Sequence, residues 1–263
     1  MRRIIFPSKF LMLRKKPALC YAVTMKTLDE KRIAALLALP EVRVEARETL
    51  PSTNDACRRL LSAGAGECLV LAERQTGGRG RRGRAFFSPP GGLYMSVAFP
   101  AAPDELGLTC RAAVVTAEAI EAVTGRVCGI KWVNDLLYQG KKVCGILAET
   151  AGERVIVGIG VNLAPAPLPP ELEGTVGFLD CGDVRERLAA EIARGLLRRN
   201  AEDRAFLTAY RRRSVVLGRE ITCHVGERVF RARALEIDDS GALVVEGPDG
   251  RETLRWGEVS IRL

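Results

Sequence analysis

The sequence predicts an α+β domain followed by a small all-β module, and three observations carry that expectation. Apolar residues switch repeatedly between helical and strand spacing from Leu28 to about Arg211. From Ser214 the pattern changes to short strands separated by turn signals at Val225-Gly226, Asp239-Ser240-Gly241 and Pro248-Asp249-Gly250. With 263 residues, 47% of them hydrophobic, the chain can bury one domain-sized core and still supply a smaller unit.

Residues 28–39 carry helical spacing through Leu28, Ile33, Leu36 and Leu37, closed by Pro40. Residues 42–48 alternate as a half-buried strand does. Ser52-Thr53-Asn54 reads as a loop and helix N-cap before a helix over 55–63, which Gly64 and Gly66 end. A short apolar strand follows at 68–72. Residues 75–84 contain glycine and arginine but no apolar side chain, so they form a loop. A strand is expected over 93–99 and a long, mostly buried helix over 104–123. Strands follow at 130–132, 136–138 and 143–149, the last two joined by the hairpin signal Gln139-Gly140-Lys141. Another strand spans 155–162, and its Gly158 and Gly160 predict a close approach to the backbone. A loop covers 165–170, and helices are expected over 183–199 and 202–211. The last stretch carries strands at 220–224, 228–237, 242–245 and 253–256. Its length of about 50 residues suggests a five-strand barrel.

The formal net charge is +8, yet Arg2, Arg3, Lys9, Arg14, Lys15 and Lys16 fall in the first 24 residues, which hold no acid. From Met25 onward the balance is only +2, which argues against a broad nucleic-acid footprint. Lysines, arginines and prolines interrupt every apolar run of the tail, so it is no secretory signal. It reads either as a disordered basic arm or as sequence upstream of a start at Met25, and no function is assigned to it. No stretch approaches the roughly 20 apolar residues of a membrane span, so a soluble, cytoplasmic protein is expected. The eight cysteines show no CxxC pair and no metal-ligand spacing, which predicts reduced thiols packed as small hydrophobes. The single histidine, His224, sits in an expected strand and is read as structural; histidine triads and histidine-rich metal sites are excluded.

Three segments carry chemistry. The run from Gln75 to Arg84 combines four glycines, which let a backbone approach a ligand, with four arginines whose forked donors suit phosphate or carboxylate. It lacks the GxxxxGK[ST] of a P-loop, and alone it could equally be a solvated charge run or an RGG-like tract. Lys131-Trp132-Val133-Asn134-Asp135, followed by Lys141, Lys142 and Gly145, puts a purine-stacking ring among groups able to reach ribose, metal or phosphate. An ordinary strand with a buried Trp is the bland alternative. Gly158-Ile159-Gly160-Val161-Asn162 ends a strand with room for a ligand and a polar handle, although packing explains it as well.

Taken in order, these residues resemble the biotin–protein ligases, which biotinylate carboxylase subunits. The motifs are Ser52-Thr53-Asn54, the arginine loop from Gln75, Lys131-Trp132-x-Asn134-Asp135, Lys142-x-x-Gly145-Ile146-Leu147 and Gly158-x-Gly160-x-Asn162. The likeness is strong over about 45–165 and looser over 214–263. It implies a mixed central sheet flanked by helices, the class II synthetase-like biotin/lipoate ligase fold, followed by an SH3-like β barrel. The implied division is a tail over 1–24, a catalytic domain over 25–212 and the barrel over 213–263. Ser52, Thr53, Asn54 and Gln75 would surround the biotin head group, and Arg79, Gly80 and Arg81 would close over biotin and its adenylate. Lys142 would meet the biotin carboxylate and the acyl-phosphate oxygen. Arg84, Trp132, Asn134 and Asn162 would serve the nucleotide, and Asp135 the nucleotide and metal side. Lys142, Arg81 and Asp135 are the implied catalytic residues; no metal ligand set is identified.

ATP with Mg²⁺ as its ion and biotin as substrate are the implied reactants. A carboxyl carrier domain of a carboxylase is the implied partner, for a monomer or homodimer. The family often has Pro where this chain has Val133, and only a local backbone effect is expected. Too few residues precede Ser52 for the winged DNA-binding module of some relatives, so no specific DNA binding is expected. The chemistry suits a site poor in histidine. Biotin's carboxylate is already ionised at neutral pH, so the problem is joining two anions, which cations solve. In the transfer step Asp135 could take the proton of the acceptor amine, or water could. A lipoate–protein ligase is the nearest rival reading, and the arginine loop and C-terminal barrel favour biotin. A nucleic-acid-binding protein is the more distant one, weakened by fourteen aromatics of which none interleaves with the arginines.

Overall fold

The computed structural model describes residues 26–100, 105–198 and 205–261. The tail over 1–24 lies outside the described residues, as do the expected helix starts at Asp104 and Glu202 and the expected helix end at Arg199. The chain runs α1 (Glu30–Leu37), β1 (Arg43–Leu50), α2 (Thr53–Ser62), β2 (Cys68–Gln75), β3 (Leu93–Pro100) and α3 (Glu105–Thr124). It continues with β4 (Gly129–Lys131), β5 (Asp135–Tyr138), β6 (Lys141–Ala151) and β7 (Arg154–Val161). Then come α4 (Arg185–Leu197) and α5 (Ala205–Arg213). The last stretch holds β8 (Glu220–Val225), β9 (Arg228–Ile237), β10 (Leu243–Gly247), β11 (Gly250–Leu254) and β12 (Glu258–Ser260).

Helix α1 is shorter at both ends than the apolar spacing suggests. Asp29 caps it by accepting from the amides of Lys31 and Arg32, and Ala38 turns left-handed at φ 54°. Apolar periodicity locates a buried face but not the residue at which the backbone leaves the helix.

Seven strands form one mixed sheet in the order β1-β2-β3-β7-β6-β5-β4. Only β1 and β2 are parallel, because α2 crosses over between them. Period-two alternation divides the sheet into two faces. Leu69 and Leu71 of β2, Met95 and Val97 of β3, and Val157 and Ile159 of β7 enter the main core, against which Ile33, Ile120 and Leu188 of α1, α3 and α4 also pack. Val70, Ala98 and Ile156 face the other way and form a smaller core with Ala56, Cys57 and Leu60 of α2. The sheet therefore carries three helices on one face and α2 on part of the other. The uncovered part of the α2 face is where a ligand can lie.

The last five strands make an antiparallel sheet in the order β11-β10-β9-β8-β12. This is the expected all-β module, but it is not closed into a barrel by hydrogen bonds: β11 and β12 are its edges, and three-residue β12 pairs with β8 alone. The strand β12, which brings the count to five, lies beyond the last run named from the sequence. The two sheets share one continuous core. The Trp132 indole N–H donates to the Gly241 carbonyl at 3.1 Å, and the Arg211 Nε donates to that of Ile237 at 2.7 Å. His224 lies on β8, its Nε2 3.1 Å from Ser260 Oγ, in a structural place. Every described cysteine is a free thiol.

Candidate active site

Residues alternating on the uncovered face build the floor of a cleft of about 590 Å³. Ser96 of β3, Gly158 of β7 and Leu147 of β6 lie side by side in register, as do Tyr94, Gly160 and Gly145. The glycines make the cleft possible. A Cβ at Gly158 would run into the Asn54 carboxamide, and one at Gly160 or Gly145 into the Phe86 ring. The close approach expected over this strand is thus made by the protein's own side chains. Gly158→Ala is expected to destabilise the fold by about 1–3 kcal/mol through overpacking, read as a lower urea midpoint. An unchanged midpoint would mean that Asn54 can move aside freely.

Asn54 descends onto that floor from the first turn of α2. Ser52, Thr53 and Asn54 are all buried, each 3% exposed. Ser52 occupies the N-cap position and lines the cleft, and its side chain makes no capping bond. Thr53 donates both its backbone N–H and its hydroxyl to Gln75 Oε1, at 2.9 and 3.1 Å. Gln75 Nε2 donates to Ser88 Oγ at 3.0 Å, and Ser88 donates to the Phe86 carbonyl at 2.9 Å. Ser96 Oγ lies 2.7 Å from Thr53 Oγ1 and 2.6 Å from Asn54 Oδ1. Asn54 Nδ2 donates to Glu149 Oε2 at 2.6 Å. The result is one ordered polar array at the closed end of the cleft, with partners for nearly every buried group.

The arginine loop forms the rim. It contains a single 3-10 turn over Arg81–Gly83, with Arg82 left-handed at φ 58°. Arg79 makes a two-pronged pair with Asp55 at 2.7 and 2.6 Å. Hydrogen bonding to that guanidinium, with its charge and those of Arg58 and Arg59, outweighs burial and holds the Asp55 carboxyl below its usual pKa. The pair therefore stabilises the fold at neutral pH and is lost as the pH falls through the carboxylate range. Arg81 reaches further in, its Nη1 3.2 Å from Asn134 Oδ1, and burial lowers its pKa from the usual arginine value. Arg84 stays exposed and meets Glu258 of β12 at 2.8 Å.

At the other end, Lys142 of β6 brings its ammonium 2.7 Å from Asp135 of β5 and 6.0 Å from the centre of the Phe86 ring. Asn134 donates to the Ile146 carbonyl at 2.9 Å. Trp132 is 3% exposed, its N–H spent on Gly241, so only a sliver of the ring borders the cleft. The peptide bond following it, to Val133, is cis. Asn162 is mostly buried and donates from Nδ2 to the Gly177 carbonyl at 3.2 Å, pinning the segment that walls the cleft. That segment adds itself to β6: Lys142 N–H donates to the Thr175 carbonyl at 2.8 Å, and Gly177 N–H donates to that of Lys142 at 2.9 Å.

Every site residue expected from the sequence borders this one cavity: Ser52, Thr53, Asn54, Gln75, Arg79, Gly80, Arg81, Arg84, Trp132, Asn134, Asp135, Lys142 and Asn162. Five features were not foreseen. Ser96 is the polar residue of an otherwise apolar strand, a signal that alternation could have caught. Glu149 closes the strand expected over 143–149. Phe86, Glu258 and the wall from Leu168 to Phe178 carry no motif at all. Among the described residues no group of three or more His, Cys, Asp and Glu side chains could hold a metal, and no helix is long and apolar enough to cross a membrane.

Comparison with known proteins agrees with this geometry. Residues 46–164 match the biotin/lipoate A/B protein ligase family, and residues 216–262 match the biotin protein ligase C terminal domain. The biotin–[acetyl-CoA-carboxylase] ligase of Paracoccus denitrificans is 34% identical over 79% of this chain and 96% of its own. The bifunctional ligase/repressor BirA of Bacillus subtilis is 32% identical over 81% of this chain and 72% of its own. The Aquifex aeolicus biotin protein ligase, solved with biotin and ATP, superposes with a TM-score of 0.73 at 27% identity, over 84% of this chain and 98% of that one. The Leishmania major enzyme with biotinyl-5-AMP gives 0.57 at 25%, over 82% and 99%.

Proposed function

The chain belongs to the biotin/lipoate A/B protein ligase family, and from that premise we propose that its cleft activates biotin with ATP and passes the acyl group to a lysine of a carboxylase carrier domain. One observation carries the reading: a head-group-sized polar array and a cluster of arginine and lysine cations share a single cavity of about 590 Å³, the size of an ordinary ligand site.

In the first step the biotin carboxylate attacks the α-phosphorus, a carboxyl oxygen–phosphorus bond forms, and pyrophosphate leaves. No general base is required. The array of Ser52, Thr53, Asn54 and Gln75 holds the head group, and the carboxylate then reaches toward Lys142. The Lys142 ammonium draws carboxylate and phosphate together and offsets the charge that accumulates between them. Arg81 closes from the rim over the adenylate, with Arg79 and Gly80 at the head of the loop. Arg84, Trp132, Asn134 and Asn162 border the nucleotide. Asp135 and Glu258 are the acids lining the cleft among the described residues, and Asp135 would be the carboxylate nearest to a Mg²⁺ carried in on the phosphates of ATP if it let go of Lys142. That ion would neutralise phosphate charge. We read residues 25–212 as the catalytic domain and 213–263 as the C-terminal module.

In the second step the neutral lysine amine attacks the carbonyl of the mixed anhydride, the new C–N bond replaces the bond to AMP, which leaves, and the proton of the amine passes to water. Asp135 is held by Lys142 at 2.7 Å, which favours orienting that lysine over accepting the proton itself.

The test is pyrophosphate release from ATP and Mg²⁺ with biotin, lipoate or octanoate in parallel. Release that depends on biotin alone is expected. Release with lipoate instead would keep the chemistry and replace the substrate, and none with any acid would end the reading.

A further inference from the structure

Resting on the biotin reading, we propose that Glu149 is a positioning residue for head-group recognition: its carboxylate decides which way the Asn54 amide faces. A primary amide is nearly symmetric in shape, and its nitrogen and oxygen offer opposite hydrogen-bonding chemistry. Asn54 lies in the slot above Gly158, between Ser96 on one neighbouring strand and Glu149 on the other. A carboxylate only accepts, so the amide nitrogen must turn to Glu149 Oε2, 2.6 Å away. The amide oxygen then faces Ser96 Oγ, also at 2.6 Å.

That choice sets the sense of the Asn54–Ser96 half of the array, as the Thr53 backbone N–H sets that of Gln75. Thr53 gives its proton to Gln75, Gln75 gives one to Ser88, and the single hydroxyl proton of Ser96 goes to the Asn54 amide oxygen. A head group that carries donors and acceptors together is read by that sense, and reversing one member would present it with a mismatch. Arg58 at 3.6 Å and Arg79 at 3.9 Å balance the Glu149 charge. The same carboxylate therefore touches both Asn54 and the Arg79 root of the arginine loop from behind the cleft.

The experiment exchanges the two groups in the full chain. Glu149→Gln lets either amide turn, and the biotin KM should rise about tenfold with the ATP KM unchanged. Asn54→Asp sets two carboxylates face to face, and its biotin kcat/KM should fall by about 100-fold or more. In the double variant, Asn54→Asp with Glu149→Gln, the introduced amide can donate to the introduced carboxylate, and at least about tenfold of that loss should return. A structural role alone would not restore biotin use selectively, and urea midpoints for all three variants separate unfolding from misrecognition. Losses that simply multiply, or an ATP KM that rises in step with that for biotin, would overturn the role of Glu149 while leaving the ligase reading intact. A wild type whose pyrophosphate release ignores biotin would overturn both.

Discussion

Replacing Lys142 by methionine is expected to slow formation of the activated acid by about 100- to 1,000-fold, the usual cost of removing one preorganised donor from a developing charge. Methionine keeps an unbranched side chain of similar reach and removes the ammonium that sits over the Phe86 ring. The backbone bonds from Lys142 to Thr175 and Gly177 do not involve the side chain, so β6 and the cleft wall should survive. A rapid-quench assay of pyrophosphate isolates this step from transfer. A KM effect with an unchanged single-turnover rate would make Lys142 a binding group and no more. Asp135→Ala is the natural companion, because it frees the same ammonium. If Asp135 orients Lys142, both steps should weaken together. If adenylate still forms and transfer alone fails, Asp135 accepts the proton.

Replacing Arg81 by glycine is expected to let the adenylate escape. The side chain runs from the rim into the cleft and holds Asn134 at 3.2 Å, a charge-assisted contact worth about 1.5–3 kcal/mol. Losing it should speed release of the intermediate by about 10- to 100-fold. Pyrophosphate release would continue, free adenylate would build up in solution, and lysines of an unrelated protein would become labelled. Chromatography of the protein-free fraction is the direct check. If no more adenylate appears than with the native chain, retention must lie in the wall from Leu168 to Phe178 or in the Arg84–Glu258 contact instead.

What could be read from the sequence was whatever depends on local pattern. Alternation and helical spacing located the strands and helices up to β11 to within a few positions, since each has one face in the core and one outside, while three-residue β12 is too short to show a period. Asn54, Lys142 and Asn162 could be picked out because motif residues sit at strand or helix ends. Other features depend on long-range geometry. Glu149 matters only because β6 and β7 pair in a register that puts it beside Asn54, 95 residues away. Glu258 matters only because β12 folds back to the arginine loop, 174 positions along from Arg84. Trp132 shows the reverse case. Its surroundings suggest a ring free to stack on a purine, while the Gly241 carbonyl, 109 residues further on, takes its N–H and buries it.

That last bond bears on how the protein comes apart. The Gly241 turn rests on the indole, Cys110 lies against the same turn, and Tyr210 donates to the Val133 carbonyl at 3.1 Å next door. Peeling away the last five strands would wet Trp132 and open the core they share with the first sheet. The boundary so plain in the sequence at Ser214 is therefore not an energetic seam. A version severed near that residue should lose stability in both parts, and its cleft would lack the wall that Glu258 to Ile261 supply.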